Sequence, residues 1–540
     1  MKKGKFYLIG VILLLLIAGI GYYVTLPAIN LHSEGMWGFI FTLCLVAIFV
    51  YVCAKCKHIN SFREMTPFFK KSVPLKIMLA VFLVVLIVYA GGSILSSPLV
   101  NASKYQKLLQ VKEREFTEDI KEVNYNQIPL LDKESAALLG NRKMGSMVDY
   151  VSQFEVSPRY TQINLNDEPV RVTPLTYASF IKWLTNQSSG IPAYIKIDMA
   201  TQDTECIKLD KPIKYSEAEY FNRNIYRHLR FRYPTFIFDD ISFEIDEEGT
   251  PYWVCPVKKF NIGLFGGVTI GKVVLCNAQT GETEVYKVED VPQWVDRVYS
   301  ADLLVGLYNY NGTLKHGFLN SVLGQKDCLQ STSGYNYIAL DDDVWVYTGI
   351  TSLNSDQSIV GFVLMNQRTM ETRFYSVEGA IEYSAMDSAE GQVQNLGYCS
   401  TFPLLLNIAD EPTYFMALKD DAGLVKKYAM VNVQKYQWVA IGDTVAQAEK
   451  AYMALLNTNG ITSSESNSLE VVKGIIDSIA PVVIDGNTHY YLYIKGLETA
   501  FGANMTDENL ISVIKYKEGD TINFQYVSGS PVNEITKILE

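Results

Sequence analysis

The hydrophobic pattern of the first hundred residues differs from that of the rest of the chain. Three apolar runs, Phe6–Tyr23, Met36–Ala54 and Ile77–Leu95, contain no charged residue, and each approaches the ~20 residues that a helix needs to cross a bilayer. A cleaved signal peptide is the alternative for the first run, but no small-residue cleavage site follows it and two more runs come after. The pattern therefore predicts three transmembrane helices in residues 1–97.

Beyond this region, one ten-residue phrase occurs three times, at Asp198–Ile207, Asn277–Tyr286 and Asn366–Tyr375. Each copy follows an apolar run, begins with Asp or Asn, and has Thr three residues later. An apolar strand, a turn opened by Asp or Asn and an alternating second strand together indicate a β-hairpin. The copies start 79 and 89 residues apart, which suits a small α+β module used several times better than a solenoid.

The second copy closes the clearest module. Ser216–Glu219 has the pattern of a capping box, and the helix predicted over 216–230 carries Phe221, Ile225 and Leu229 on one apolar stripe. The strands predicted to follow are Phe236–Ile245, Tyr252–Val257 and Lys272–Tyr286. One helix packed on a small antiparallel sheet is the predicted fold of this module.

A helix, a strand pair around an acidic turn with Gly, and a strand ending in Asn-x-x-Thr-Gly-Glu resemble the PepSY domain family. Thr280, Gly281 and Glu282 carry the resemblance. It covers about residues 215–290 and, more weakly, 380–445, where the hairpin has lost its Thr. The resemblance implies extracytoplasmic placement and a binding or inhibitory role, often toward peptidases, and it transfers no catalytic residues.

The whole chain is therefore predicted to be a membrane-anchored α+β protein with repeated PepSY-like modules. Its predicted segments are three transmembrane helices at 1–97, a stalk helix at 98–122, a first α+β module at 123–210, a PepSY-like module at 211–290, a central insert at 291–360 with a turn at 309–313, a second PepSY-like region at 361–456, a linker at 457–468 and a small β-barrel at 469–540.

The last segment shows a purely β pattern. The five predicted strands are Val471–Ile476, Tyr490–Ile494, Leu510–Tyr516, Ile522–Val527 and Asn533–Ile538. Their order, with Gly-Asp before a late strand, makes the segment OB-fold-like. An SH3-like barrel or a sandwich is the alternative.

Basic residues beside the short loops predict the orientation in the membrane. Lys2, Lys3 and Lys5 precede the first run, the loop at 26–35 has no Lys or Arg, and the loop at 55–76 has six. This asymmetry predicts a cytoplasmic N-terminus and, after three crossings of the plasma membrane, an extracytoplasmic remainder from about residue 97. That remainder holds 38 of the 47 basic and 56 of the 58 acidic residues, so its net charge would repel nucleic acid, which is not expected as a partner.

No pattern typical of catalysis, of a cofactor site or of a metal site is found. Only His228, His316 and His489 lie outside the membrane region, and no nucleophile elbow, zinc-protease motif or phosphate loop accompanies them. Asp341–Asp343 is predicted to be a solvated turn rather than a calcium site, because successive strand residues face opposite sides. Five widely spaced cysteines beyond the membrane region do not indicate a disulfide framework, although one disulfide remains open.

One cluster of arginines is the only candidate site. It consists of Arg223, Arg227, Arg230 and Arg232. Guanidinium groups match phosphate, teichoic-acid-like polymers and carboxylates, so the cluster could bind an anionic partner. The alternative is pairing with the chain's own Asp239, Asp240 and Glu244 and their neighbours.

These patterns favour a non-enzymatic, membrane-anchored extracytoplasmic protein of the bacterial cell envelope, with a binding, scaffold or regulatory role. Its expected partner outside the membrane is a protein or a cell-wall polymer. Two alternatives remain open: an accessory subunit of a membrane transport or secretion complex, and an envelope enzyme without a recognisable motif.

Overall fold

The computed structural model describes residues 2–56, 72–120, 128–166, 168–340, 342–353, 358–461, 470–484, 487–497, 499–505, 508–527 and 532–539. The chain forms two compact units, Met1–Leu455 and Leu456–Glu540. The first contains long apolar helices and four larger sheets, and the second contains a curled five-stranded sheet.

Three long helices begin the first unit: α1 (Lys2–Thr25), α2 (Glu34–Cys56) and α3 (Val73–Ser96). Two spans, Glu34–Cys53 and Val73–Ser96, are long and apolar enough to cross a membrane. They are 6% and 0% buried inside the protein, unlike the core helices of a soluble domain. The described apolar part of α1 is the shorter Val11–Thr25. The chain thus has two candidate membrane-spanning helices near its N-terminus, and the third crossing stays a prediction.

The predicted stalk helix, 98–122, is wrong for the residues that the structure describes. This segment forms α4 (Pro98–Gln106), β1 (Val111–Arg114) and α5 (Phe116–Asp119), and residues 121 and 122 lie outside the described part. Leu109 and Phe116 are 1% and 7% exposed. A solvated stalk would expose these apolar side chains, whereas here they are buried in the cores of two sheets.

The first sheet module has five antiparallel strands in the order β2-β4-β5-β6, with β3 also pairing β4. Its elements are α6 (Lys133–Gly145), β2 (Phe154–Val156), β3 (Thr161–Leu165), β4 (Glu168–Tyr177), α7 (Phe180–Asn186), β5 (Ile191–Asp198) and β6 (Thr204–Ile213). Asp132 caps α6 by accepting a hydrogen bond from Ser135 N at 2.8 Å, and Ser179 caps α7.

The second sheet module packs a short helix on four antiparallel strands in the order β10-β9-β8-β7. Its elements are α8 (Ile225–Arg232), β7 (Ser242–Ile245), β8 (Pro251–Ile262), β9 (Gly266–Asn277) and β10 (Thr283–Lys287). The predicted capping box at 216–219 is wrong, because Asn224 caps α8. Ile225 and Leu229 are buried as predicted, but Phe221 lies before the helix and is 62% exposed.

The predicted central insert at 291–360 belongs to a third sheet module with its own helix. Its elements are α9 (Ala301–Thr313), β11 (Leu329–Ser331), β12 (Asn336–Leu340), β13 (Asp343–Ser352), β14 (Ser358–Ile359), β15 (Gly361–Asn366), β16 (Thr372–Tyr375) and β17 (Gly379–Ala380). The predicted turn at 309–313 is wrong, because these residues end α9. Leu304, Leu307 and Tyr308 bury the inner face of that helix, and this packing outweighs the local turn preference of Asn and Gly.

The fourth sheet module repeats the order of a helix followed by antiparallel strands. Its elements are α10 (Glu382–Gln392), β18 (Cys399–Ser400), β19 (Leu404–Ile408), β20 (Glu411–Lys419), β21 (Val425–Asn432), β22 (Val439–Gly442) and α11 (Val445–Thr458). The strands are ordered β18-β20-β21-β22, with β19 also pairing β20. Helix α11 occupies the start of the predicted linker at 457–468, and residues 462–469 lie outside the described part.

The three predicted hairpins share one hydrogen-bond pattern, which confirms the prediction. The side chain of Asp198 accepts hydrogen bonds from the amides two and three residues later, and so do the side chains of Asn277 and Asn366. In each turn the first Thr accepts a hydrogen bond from the amide two residues on, at 3.2–3.3 Å. Asn432 opens the degenerate fourth turn in the same way.

Neighbouring sheet modules share their cores because strand side chains alternate between faces. Trp253 lies in the core common to the first and second modules, while the next residue, Val254, lies in the core that joins the second module to the third. In the same way, Trp345 lies in the core shared by the third and fourth modules. The next residue, Val346, lies in the core that joins the third module to the second. The four modules therefore form one continuous unit.

The tip of the β8–β9 hairpin rests on the ends of the long helices. Phe265 lies edge-on to Trp37 of α2 and tilted against Tyr89 of α3, with ring centroids 6.3 and 5.2 Å apart. His32 Nδ1 lies 2.7 Å from the carbonyl oxygen of Leu264. The sheet modules are thus held directly on the helices and not through a spacer.

The second unit is a curled sheet in which strand pairing runs β23-β24-β25-β27-β26 and returns to β23. Its strands are β23 (Glu470–Ile484), β24 (Asn487–Ile494), β25 (Ala500–Asn504), β26 (Thr521–Val527) and β27 (Val532–Ile538). The predicted strand at Leu510–Tyr516 is wrong. That segment falls in a 3₁₀ helix, Glu508–Lys515, whose Leu510 and Val513 are buried three residues apart, as the helical period requires.

Candidate functional site

Three of the four arginines singled out in the sequence contact different partners, and the fourth, Arg232, is exposed. Arg230 Nε donates to the carbonyl oxygen of Leu26, at the end of α1, at 2.9 Å, and the guanidinium of Arg227 lies 4.8 Å from the ring centroid of Tyr23. Arg223 donates to the carbonyl oxygen of Gln187 in the first module. The guanidinium groups therefore do not converge on one anion, and two of them join α8 to α1.

The alternative interpretation, pairing of these arginines with the chain's own acids, is wrong for the described side chains. Asp240 binds Arg159 Nη1 and Arg297 Nη2, both at 2.9 Å. Asp239 binds Lys258 at 3.1 Å. Glu244 is fully buried and accepts hydrogen bonds from Ser242 and from two backbone amides. Asp239, Asp240 and Glu244 thus bind groups other than the four arginines.

A different set of arginines lines a central cleft of about 400 Å³ between the modules. The central cleft is formed by residues of all four modules, among them Arg159, Gln162, Arg171, Arg297, Tyr337 and Phe402. Its wall combines guanidinium groups, side-chain amides and aromatic rings with the carboxylates of Asp132 and Asp240 and the ammonium group of Lys133. A concave site with a few convergent polar groups among apolar ones is the usual form of a ligand pocket.

Arg171 is the most unusual residue of the cleft. It lies on β4, 6% exposed, and its Nη2 donates to Gln162 Oε1 at a long 3.4 Å. Its Nε has no hydrogen-bond partner, and no described carboxylate lies within ion-pair distance of its guanidinium. Burial lowers the pKa of Arg171, against the opposing influence of Tyr337 and Asp132. A buried cation without a counter-ion is costly in a folded protein.

Two neighbours of Arg171 also have unused hydrogen-bonding groups. Gln162, opposite Arg171 on β3, is 7% exposed, and its Nε2 has no partner. Tyr160 is 8% exposed, and its hydroxyl has no partner. Burial raises the pKa of Tyr160 to about 12, so its hydroxyl remains a donor. Three unpartnered donors therefore lie near one wall of the cleft, buried from solvent, and the Tyr160 hydroxyl packs against Gly140.

At the cleft entrance, Arg159 and Arg297 are held by Asp240. The pKa of Asp240 is lowered, because the hydrogen bond from Arg159 and the charge of Arg297 outweigh its burial. Arg159 also pairs with Glu217 at 2.7 Å and lines a second cavity of about 610 Å³. The entrance arginines are thus neutralised by acids, whereas Arg171 is not.

Buried acids lie near the cleft but form no metal site among the described residues. Asp296 is 1% exposed, and its pKa is raised well above the usual value by burial and by the charge of Glu244. Asp343, predicted to lie in a solvated turn, is 5% exposed and is bound by Arg368 Nε at 2.6 Å and Asn366 Nδ2 at 2.7 Å. Asp341 lies outside the described residues.

Two histidines beyond the membrane region, His228 and His316, have structural partners. His228 Nε2 lies 2.7 Å from the carbonyl oxygen of Gly281, and its pKa is lowered mainly by burial. His316 contacts Asp327 at 3.0 Å at the surface. Neither histidine is adjacent to the central cleft.

No protein-family model matches the chain, and no curated protein matches it. The resemblance to PepSY domains and the OB-fold-like interpretation stay predictions. The cleft therefore has to be interpreted from its own chemistry.

Sequence reasoning missed the central cleft, although one signal was present. Arg171 interrupts the apolar strand Pro169–Tyr177 and is flanked by Val170 and Val172. All of β4 except its first residue and Thr176 is buried. An arginine inside a strand covered on both faces indicates a buried cation, which needs a function or a partner.

Proposed function

We propose that this chain is a non-enzymatic, membrane-anchored binding protein of the cell envelope. Three N-terminal helices anchor it, its N-terminus is cytoplasmic, and its sheet modules and C-terminal barrel lie outside the plasma membrane. Two candidate spanning helices and the distribution of lysines in the first 97 residues support this topology. The hairpin tip seated on the helices supports a domain held close to the bilayer.

The module interpretation forms part of the same proposal. The second, third and fourth sheet modules each run from a helix through antiparallel strands to a turn opened by Asn277, Asn366 or Asn432. This common order supports a repeated PepSY-like module. The pairing order of the last five strands, with β25 and β27 parallel and a 3₁₀ helix between β25 and β26, supports an OB-type barrel.

The central cleft binds an anionic group of the partner, a carboxylate or a phosphate. The observation that carries this proposal is the buried guanidinium of Arg171, which has an unpartnered Nε and no described carboxylate within ion-pair distance. Arginine forks match both anions in two-point contacts. Tyr160 and Gln162 offer further donors beside it, and Tyr337 and Phe402 supply aromatic surface for the body of the ligand.

The test compares the full chain with its Arg171→Met variant in lipid nanodiscs. Inorganic phosphate and citrate should raise the melting temperature of the wild type, because a ligand that binds only the folded state stabilises it by mass action. The variant should respond to neither anion, and without anions it should be at least as stable as the wild type, since it removes a buried charge that has no carboxylate within ion-pair distance.

Arg232→Met is the matched control, because Arg232 is exposed and outside the cleft. It should keep the anion response. Equal anion responses in wild type and Arg171→Met would show that the cleft is not the binding site.

The topology is tested separately. Proteinase added to intact spheroplasts should degrade the modules and leave a fragment of about the first hundred residues. Protection of the region after residue 97 would contradict the proposed orientation.

A further inference from the structure

A short apolar loop protrudes from the third module between α9 and β11. Its tip is a short π-helix, Asn320–Gly324. Leu319, Val322 and Leu323 are 71%, 55% and 79% exposed, so three large apolar side chains within five residues face away from the protein. Such a concentration of exposed apolar surface indicates an interaction site.

The loop is held in one shape by its own polar contacts. Asn320 Nδ2 donates to the carbonyl oxygen of Lys326 at 2.9 Å, and Asn320 Oδ1 accepts from Lys326 N at 3.2 Å. Cys328 Sγ donates to the carbonyl oxygen of Thr313 at 3.2 Å. These contacts close the base of the loop, so the apolar side chains are presented at a fixed place.

The base of the loop packs beside the point where the chain leaves α3. Leu314, 4% exposed, shares a small core with Tyr105 and Ile262, and Phe318 packs against it. The Tyr105 hydroxyl donates to the carbonyl oxygen of Ser96, the last residue of α3, at 2.6 Å. In a straight helix, residues nine positions apart lie about 13 Å apart along the axis. Because the Tyr105 hydroxyl instead contacts the carbonyl oxygen of Ser96, α4 bends across the end of α3.

Ile262 connects the same small core to the membrane helices, because it ends the strand whose hairpin tip rests on α2 and α3. The apolar loop is thus continuous with the surface that already contacts the candidate spanning helices. Two exposed lysines, Lys315 and Lys326, flank its apolar side chains, and the exposed Asp327 beside them contacts His316. Apolar side chains bordered by cations are typical of segments that lie in the headgroup region of a bilayer.

We propose that Leu319, Val322 and Leu323 insert into the outer surface of the phospholipid bilayer that α2 and α3 span, with Lys315 and Lys326 against anionic headgroups. The loop is then a second membrane contact, separate from the helices, that fixes the tilt of the sheet modules over the bilayer. This inference rests on the membrane anchoring in the proposed function.

The test uses the full chain in nanodiscs of phosphatidylcholine and phosphatidylglycerol, with p-benzoylphenylalanine incorporated at position 323. Illumination should yield covalent lipid adducts detectable by mass spectrometry. The matched control is the same probe at position 148, because Val148 is 83% exposed and the described residues of its module share no hydrogen bond or ring contact with α1–α3. Position 148 should give no lipid adduct.

A second variant tests the mechanism. Leu319→Ser and Val322→Ser, introduced together with the probe at 323, should reduce the lipid adducts toward the level at position 148. Both side chains are exposed, so the fold should survive. Adducts to a protein instead of lipid, or equal lipid labelling at 323 and 148, would overturn the proposal. Extraction of the chain from cell membranes by alkaline carbonate would instead contradict the anchoring itself.

Discussion

The hydroxyl of Ser96, in the last turn of α3, accepts hydrogen bonds from the backbone amides of Leu264 at 2.8 Å and Phe265 at 3.1 Å. One side chain thus joins the end of a candidate membrane helix to the tip of the β8–β9 hairpin. Gly92 permits the approach, because a Cβ atom there would lie 2.7 Å from Leu264 Cδ1. The position of the modules is therefore determined by specific contacts and not by the length of a linker.

Replacing Ser96 with Ala should destabilise this junction. Two backbone amides lose their acceptor, and an unsatisfied buried donor costs about 1–3 kcal/mol. Thermal unfolding of the full chain in nanodiscs measures the effect. Ser97→Ala is the control, because Ser97 Oγ only donates to the carbonyl oxygen of Ile94, and its change should stay within about 0.5 kcal/mol. Equal effects of the two variants would show that the hydroxyl does not hold the tip.

Leu229→Ala and Phe221→Ala should differ strongly in the free energy of unfolding that they remove, although both residues belong to the apolar stripe predicted from the sequence. Leu229 is 1% exposed in the core shared by the first two modules, so its truncation should cost about 2–5 kcal/mol. Phe221 is 62% exposed, and its truncation should change stability by about 0.5 kcal/mol or less. Denaturant unfolding checks both values, and similar losses would mean that α8 starts earlier than Asn224.

The contrast between these two residues shows what the sequence could predict. The 3.6-residue period identified Ile225 and Leu229 correctly because burial of one helix face determines both positions. It placed Phe221 wrongly because Ser216 and Glu219 match a capping box, whereas Asn224 caps the helix. Glu219 instead accepts hydrogen bonds from Tyr177 and Trp183 in the first module, a tertiary contact that no local pattern contains.

The hairpin turns could be predicted from the sequence, whereas the central cleft could not. The turn at Asn277 is closed by hydrogen bonds between residues two to five positions apart, so its local sequence was enough to predict it, although His228 and Tyr215 also contact Gly281. The cleft unites Arg171, Asp240 and Tyr337 from the first, second and third modules. A sequence indicates that each is buried or polar, but only the packing of the modules determines that they meet.

Gly281→Ala should destabilise the second module more than the backbone conformation alone would require. Gly281 has φ +75°, and a Cβ atom there would lie 2.3 Å from the ring of Tyr215. Gly397→Ala is the control, because Gly397 has φ +67° with nothing within 4 Å of its Cβ position. The control should cost about 1–2 kcal/mol for the left-handed backbone. If Gly281→Ala lowers the stability no more than Gly397→Ala does, the Tyr215 ring moves aside without cost.

Asp296→Asn should stabilise the protein, and the gain should grow as the pH rises. Asp296 is 1% exposed, Oδ2 accepts a hydrogen bond from Asn164 N at 2.7 Å, and Oδ1 has no partner. Burial, and then the charge of Glu244, raise its pKa well above the usual value. The folded state therefore keeps the proton to a higher pH than the unfolded chain does.

Because the folded state binds more protons between the unfolded and folded pKa values of Asp296, the free energy of unfolding falls as the pH rises through that interval. Asparagine keeps the acceptor for Asn164 and has no charge to bury, so the variant should lose this part of the pH dependence. Denaturant unfolding at pH 5 and pH 8 measures the difference. The exposed Asp210→Asn should change stability by about 0.5 kcal/mol or less at either pH. If Asp296→Asn unfolds with the same pH dependence as the wild type, folding does not raise the pKa of the Asp296 carboxyl.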